Sequence, residues 1–158
     1  MRDTTAISAR VAITLYCAIQ SRELLDVWFR SGYDRFAWLI LLLWILPIVI
    51  PRLLGHTSTV PEKQSLIMMP VALLLTLIGQ VGSLHIVQHT GLAIALASWV
   101  PFSLYQGLWI ASAITWMPSF GWIGSKFFYG NIFPIRLLLV GTAAGLLIAV
   151  LTRKHKKR

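Results

Sequence analysis

Residues 66–99 read LIMMPVALLLTLIGQVGSLHIVQHTGLAIALASW, an apolar stretch of 34 residues with few interruptions. As a single α-helix it would be about 51 Å long, whereas the hydrocarbon core of a bilayer is about 30 Å thick. The helix must therefore break, and the polar and small residues gathered between 79 and 91 mark the place. This stretch predicts two membrane spans, 66–81 and 86–100, joined by a short turn.

Four further apolar stretches reach or approach the length of a membrane span. We predict helices over all four of them, at 6–20, 36–54, 104–117 and 133–151. Together with the two spans of the central stretch, they predict an all-α, multi-pass helical membrane protein with about six short transmembrane helices. Four or five spans are the alternatives.

Three features modify this pattern. Residues 21–35 carry three charges of each sign among large apolar side chains, which predicts an amphipathic helix lying on the membrane surface. Pro47 and Pro51 lack amide donors and are expected to kink or end the helix over 36–54. Pro101 disfavours helix at the residue before it and therefore sets the boundary after the span 86–100.

The composition supports a membrane location. Hydrophobic residues make up 57% of the 158 residues, charged residues make up 12%, and the mean hydropathy is +0.75. Soluble domains carry about 25% charged residues, so this chain has roughly half of what a surface facing water needs. The composition excludes a soluble enzyme, a disulfide-stapled secreted module and a disordered tail protein. We predict a single transmembrane domain over 1–152 and a short tail over 153–158.

The net charge of +9 is concentrated at the C-terminus, where five of the fourteen basic residues occupy the last six positions. A basic cluster beside an apolar span is a topology signal and a contact for lipid headgroups. We assign headgroup contact to the tail residues Arg153, Lys154, Lys156, Lys157 and Arg158, and we predict no nucleic-acid binding. The tail then lies in the cytoplasm, six spans bring the N-terminus to the same side, and a bacterial inner membrane is the expected location.

Ionisable residues give no sign of a transport pathway. All five acidic residues lie outside the predicted spans, whereas proton and cation pathways place carboxylates within the membrane. Arg136 lies near the start of the last span and is expected to snorkel to the interface, and Arg10 also lies near a span end. The single cysteine, Cys17, is interpreted as a small apolar residue of the first span.

His85 and His89 are the candidate polar or ligand site. Their i, i+4 spacing places both rings on one face of a helix. In one interpretation they are interfacial polar residues in the turn between two spans. In the other, one of them ligates a metal or a haem together with a residue from another helix or chain, because two histidines on one turn cannot take opposite faces of one haem. No metal site and no cofactor are predicted.

Small residues and tryptophans give packing predictions. Gly141, Ala144 and Gly145 form a small-residue pattern in the last span, which predicts close approach of another helix of this chain or of a partner. Trp44 and Trp109 fall inside spans and are expected to pack between helices. The remaining aromatic residues near span ends fit an interfacial belt, namely Trp28, Trp38, Trp99, Trp116, Trp122 and Tyr129.

The chain resembles the front portion of exosortase/archaeosortase family proteins, which are multi-pass, transpeptidase-like membrane enzymes. The similarity covers about residues 24–150. It is carried by Trp28 followed by Ser31-Gly32-Tyr33, by prolines 51 and 101 between short spans, and by Trp116-Met117-Pro118. That family has a cysteine in a Cys-Ser-Gly-like context, with an arginine and a histidine in later helices. Cys17 is followed instead by alanine and isoleucine, so no catalytic residue carries over and the resemblance implies a non-catalytic or truncated relative.

These observations favour a non-enzymatic membrane subunit or accessory protein whose partners are the lipid bilayer and other membrane proteins. The features behind this prediction are the absence of carboxylates in the predicted spans, the absence of a catalytic sequence motif and the presence of small-residue faces. Two alternatives stay open. One is an exosortase-like enzyme completed by a partner chain, and the other is a histidine-ligated, cofactor-binding membrane anchor.

Overall fold

A computed structural model describes residues 2–55, 60–127 and 132–155 of the chain. Every regular element within these residues is helical, so the prediction of an all-α fold is confirmed. The elements are α1 (Arg2–Gln20), α2 (Glu23–Arg30), α3 (Ala37–Leu53), α4 (Glu62–Val81), α5 (His85–Ala97), α6 (Leu104–Ala111), a 3₁₀ turn (Ser112–Trp116), α7 (Pro118–Phe127) and α8 (Phe133–His155).

The predicted break in the central apolar stretch is confirmed, because α4 ends at Val81 and α5 begins at His85. Ser83 adopts a φ of 53°, in the left-handed region that single turn residues use. The backbone N–H of Leu84 donates to the carbonyl of Gly79 over 2.7 Å and closes the turn. The polar and small residues that interrupt the apolar run therefore reverse the chain.

Two glycines let α4 and α5 pack backbone to backbone. A Cβ added at Gly79 would lie 2.5 Å from the backbone nitrogen of Gln88, and one added at Gly91 would lie 2.7 Å from the carbonyl oxygen of Ala72. No larger residue fits at either position without moving a helix. The close helix contact within this chain therefore lies in the α4–α5 hairpin.

One end of the bundle is where α3 and α5 finish and α4 begins, and we call it the basic end because Arg52 and Lys63 lie there. The Arg52 guanidinium donates to the carbonyl of Trp99 over 3.0 Å. The Gln64 side-chain amide donates to the carbonyl of Val100 over 2.7 Å. These bonds hold the ends of α3 and α5 and the start of α4 together.

The opposite end carries α2, and we call it the α2 end. Leu24 and Trp28 lie one turn apart on α2 and are both buried, which matches the amphipathic helix predicted for this segment. The Trp28 indole N–H donates to the carbonyl of Trp116 over 3.1 Å. This contact ties α2 to the end of the 3₁₀ turn, so α6 and that turn together cross the bundle.

A pair of tryptophans forms the centre of the core. Trp44 of α3 and Trp109 of α6 are fully buried and stack with ring centroids 4.2 Å apart, which confirms their predicted packing between helices. Trp116 packs on Trp44 edge to face at 6.0 Å. The assignment of Trp28 and Trp116 to an interfacial belt is wrong, because both are buried and only the topology brings them into the core. Tyr129 lies outside the described residues.

Two helices differ from their sequence-based expectation. Pro47 and Pro51 do not end α3, which continues to Leu53 because both prolines are buried among neighbouring helices that hold it. The fifth predicted span is α-helical only to Ala111 and then tightens into the 3₁₀ turn. The Ser112 hydroxyl donates to the carbonyl of Trp109 over 2.7 Å there, which competes with the α-helical pattern.

Candidate functional site: the polar cluster at the α2 end

Glu23 opens α2 and faces the start of α5. Its Oε1 atom lies 2.5 Å from Nδ1 of His85 and 3.4 Å from Nε2 of His89. The helix turn that separates the two histidines places their rings on one face, as predicted, with centroids 6.4 Å apart. One carboxylate thus serves both imidazoles, although it lies 62 residues from His85 in sequence.

The two histidines have different environments. The His85 side chain is 62% exposed, whereas that of His89 is 3% exposed. Nε2 of His89 is buried, and its 3.4 Å contact with Glu23 is at the long limit of a hydrogen bond. The interpretation of both residues as polar groups in a connecting turn therefore fits His85 only. His89 is a buried residue within α5.

A cavity of about 390 Å³ adjoins this cluster. The Ser119 hydroxyl oxygen lies on its wall and is buried without a hydrogen-bond partner. The other lining residues are the three members of the cluster together with Val27, Ile86, Pro118 and Trp122. The cavity therefore combines mainly apolar walls with the weakly bonded Nε2 of His89 and the unpartnered hydroxyl of Ser119.

The arrangement does not form a metal centre. A Zn²⁺ ion sits about 2.0–2.1 Å from each nitrogen or oxygen ligand, so two ligands that are themselves 2.5 Å apart leave no tetrahedral space between them. Within the described part of the chain, no group of three His, Cys, Asp or Glu side chains is arranged to hold an ion. Glu23 lies against Nε2 of His89 and would have to move before that nitrogen could ligate a haem, whereas its bond to His85 engages Nδ1 and not Nε2.

A second polar group at the α2 end is a buried ion pair between Asp34, just before α3, and Arg136 of α8. Their side chains are 5% and 1% exposed. Asp34 also accepts a hydrogen bond of 3.1 Å from the Ser31 hydroxyl. The prediction that Arg136 snorkels to the interface is wrong, because its guanidinium finds a carboxylate inside the bundle.

Helix α7 covers this ion pair. The centre of the Arg136 guanidinium lies 5.5 Å from the ring centroid of Phe120, and a Cβ added at Gly121 would overlap the Asp34 carboxylate. Nε and Nη1 of Arg136 are buried without hydrogen-bond partners. The ion pair therefore joins the start of α3 to α8. Helix α7 covers it at Gly121, where a side chain would not fit.

The small residues of α8 do not all share one face. Ala144 is buried in the core, whereas Gly145 is exposed and Gly141 is half-buried. A Cβ added at either glycine would meet nothing within 4 Å. No described helix of this chain therefore covers the Gly141–Gly145 face. Because residues advance 100° each, Ala144 lies about 80° around the helix from the middle of that face, on the side that packs into the core.

The other candidate residues are placed as follows. Cys17 is fully buried, and its sulfur accepts a hydrogen bond of 3.2 Å from the Thr76 hydroxyl, as expected of a core residue. In the basic tail, α8 continues to His155, so Arg153 and Lys154 belong to the helix. Arg153 is exposed, and Lys156, Lys157 and Arg158 lie outside the described residues.

Comparison of the chain with protein-family models, with curated proteins and with solved structures found no match.

Proposed function

We propose that the chain is a multi-pass integral membrane protein that acts as a non-enzymatic subunit or accessory protein of a membrane complex. Six passes are formed by α1, α3, α4, α5, α6 with its 3₁₀ turn, and α8. Helices α2 and α7 lie at the membrane surface on the side of the α2 end. The Gly141–Gly145 face of α8 contacts a partner helix.

The polarity of the surface supports the membrane location. Large aliphatic side chains point outward, such as Leu66 (66% exposed), Ile67 (67%) and Leu138 (69%). Charged and polar side chains such as Arg136 and Gln106 are buried. Soluble monomers rarely expose contiguous apolar surface of this kind, whereas lipid is a suitable solvent for it.

Helices α4 and α8 are long and apolar enough to cross a membrane. Only 22% and 28% of their most apolar windows are buried inside the bundle. A core helix of a soluble protein would bury most of that window, so these values favour contact with lipid. Helices α1 and α3 are apolar but shorter, and short helices fit a locally thinned bilayer.

The basic residues at the basic end indicate which end of the bundle faces the cytoplasm. Arg52 and Lys63 lie there, and α8 starts at the α2 end and is 23 residues long, which carries Arg153 to the basic end as well. Cytoplasmic loops carry an excess of lysine and arginine. The proposed topology therefore has both termini in the cytoplasm of a bacterial cell and the α2 end on the opposite side.

The single observation that carries the partner contact is the uncovered glycine face of α8. The chain uses Gly79 and Gly91 for close packing within the hairpin, where a Cβ would collide with backbone. It leaves Gly141 and Gly145 open. In lipid, where apolar side chains gain nothing by leaving the solvent, dispersion contacts between close backbones are the main force that joins helices.

The test is affinity purification of wild type, Gly141→Ile and Gly145→Ile from the membranes of the native host, with quantification of co-purifying membrane proteins. Thr142→Ile is the matched control, because Thr142 is exposed on the same helix and the variant carries the same isoleucine side chain outside the glycine face. We expect normal yield and loss of a specific partner in the glycine variants only. Equal partner recovery in all four proteins would refute the proposal.

A further inference from the structure

A second cavity lies between α1 and the first half of α4, on the side of the basic end. Its volume is about 600 Å³. Two charged residues of opposite sign line it, Arg10 of α1 and Glu62 of α4. The rest of the wall is mainly apolar and includes Ile7, Ile13, Leu66 and Met69.

Arg10 is held in place by neutral groups. One Nη atom donates to the carbonyl of Ser98, and the guanidinium centre lies 4.6 Å from the ring centroid of Trp99. Nε is buried without a hydrogen-bond partner. Among the described side chains, which begin at Ile7, no carboxylate lies within ion-pair distance of Arg10, and the Ser98 carbonyl and the Trp99 ring that it contacts are neutral.

A second arginine reinforces this positive charge. The Arg52 guanidinium centre lies 5.7 Å from the same Trp99 ring and donates to two backbone carbonyls, of Ile48 over 2.7 Å and of Trp99 over 3.0 Å. The two guanidinium groups beside the Trp99 indole repel each other, and an anion beside them would offset this repulsion. The position beside Arg10 therefore favours a negatively charged group such as a phosphate.

Glu62 supplies the opposite charge at the same cavity. Its side chain is exposed, and no basic group lies within ion-pair distance of it among the described side chains, which do not include those of residues 2–6 and 56–59. A dianionic or strongly acidic ligand would be repelled by this carboxylate, whereas an ammonium group would be attracted. The cavity thus presents a cation, an anion and an apolar wall, which match a zwitterionic amphiphile.

We propose that this cavity binds one phospholipid with a zwitterionic, amine-bearing headgroup, a proposal that rests on the membrane location proposed above. The lipid phosphate pairs with Arg10, the ammonium group faces Glu62, and an acyl chain follows Ile13 and Met69. The volume lies within the range of small-molecule pockets and accommodates a headgroup with part of one chain. The bound lipid places a phosphate beside the Arg10 guanidinium and fills the gap between α1 and α4.

The test uses the full chain, purified from bacterial membranes in a mild detergent and analysed by native mass spectrometry. Phosphatidylethanolamine, phosphatidylglycerol and inorganic phosphate are the three probes. We expect wild type to retain one phosphatidylethanolamine per chain, with a preference of about tenfold over phosphatidylglycerol. Excess inorganic phosphate should leave the retained lipid in place, because it lacks the ammonium group and the chain.

Two variants test the two charges separately. Arg10→Gln should lower the retention of both lipids by about tenfold, and Glu62→Gln should abolish the preference for phosphatidylethanolamine. Lys63→Gln is the control, because it removes a charge next to Glu62 outside the cavity lining. If Arg10→Gln does not fold, the lipid preference of Glu62→Gln decides, because the Glu62 side chain is exposed.

Equal retention of both lipids by wild type, or unchanged retention in both variants, would overturn the lipid site. Displacement of the lipid by inorganic phosphate would also overturn it, in favour of a site for a free anion. Extraction of the native membranes with alkaline carbonate separates this failure from that of the proposed function. A chain that leaves the membrane there overturns both proposals, whereas a chain that stays without retaining the lipid overturns only the lipid site.

Discussion

Trp44 and Trp109 exchange hydrogen bonds across the centre of the bundle. The indole N–H of Trp44 donates to the carbonyl of Trp109 over 2.7 Å, and the indole N–H of Trp109 donates to the carbonyl of Trp44 over 2.8 Å. Their rings stack with an interplanar angle of 15°. Each side chain therefore satisfies its own polar atom while it fills the core, and the two bonds fix the register of α3 against α6.

Trp44→Phe and Trp109→Phe should each lower the free energy of unfolding by about 1–3 kcal/mol, because each removes one buried hydrogen bond and part of the stacked surface. Trp38→Phe on α3 is the control and should have little effect, since Trp38 is 36% exposed. Unfolding by SDS titration in mixed micelles measures the difference. A Trp44→Phe variant as stable as Trp38→Phe would contradict the reciprocal bonding.

Asp34→Asn should destabilise the protein by about 3–5 kcal/mol, because it leaves the Arg136 guanidinium buried without a counter-charge. Asp34→Leu combined with Arg136→Met should recover much of this loss, since no buried charge is then left unpaired. Asp26→Asn is the control, because its ion pair with Arg30 over 3.7 Å is largely exposed. The same SDS titration measures all three, and a double variant less stable than Asp34→Asn would show that the pair itself holds α3 to α8.

The sequence predicts the helices well and the polar contacts poorly, for physical reasons. Helix positions follow from the length of each apolar run and from interrupting residues such as Ser83 and Pro101, which are local signals. The Asp34–Arg136 pair spans 102 positions, and no local pattern connects the two residues. The six-span topology predicted from the sequence points to this pair only indirectly, because it places both residues at the starts of spans on the same side of the membrane.

Small-residue patterns show the same limitation. A pair of glycines four residues apart on α8 is conspicuous in sequence, whereas Gly79 and Gly91 lie on two helices and form no sequence motif. Their role follows from the hairpin, which brings one glycine of each helix against the backbone of the other. The burial of His89 against Glu23 likewise requires α2 to fold back over α5, which spacing on α5 alone does not reveal.

Gly91→Ala should destabilise the protein by about 1–3 kcal/mol, because the added methyl group meets helix backbone and the hairpin must open. Gly145→Ala should be neutral or slightly stabilising, since alanine is a better helix former and nothing lies within 4 Å of its Cβ. SDS titration of both variants checks the prediction. If Gly145→Ala destabilises the protein more than Gly91→Ala does, the tight helix contact lies on α8 and not in the α4–α5 hairpin.

The proposed topology predicts where reporter fusions are active. The bundle places the end of α3, the start of α4 and the end of α8 at the basic end, and the turn at Ser83 at the α2 end. Fusions after Arg158 and within 57–62 should therefore report the cytoplasm, and fusions at Ser83 and at Asn131 the opposite side, because the basic residues favour the cytoplasm. A cytoplasmic phosphatase fusion should be inactive and a fluorescent-protein fusion bright, with the reverse at the opposite side. If Ser83 and Glu62 report the same side, α4 does not cross the membrane and the six-pass arrangement is wrong.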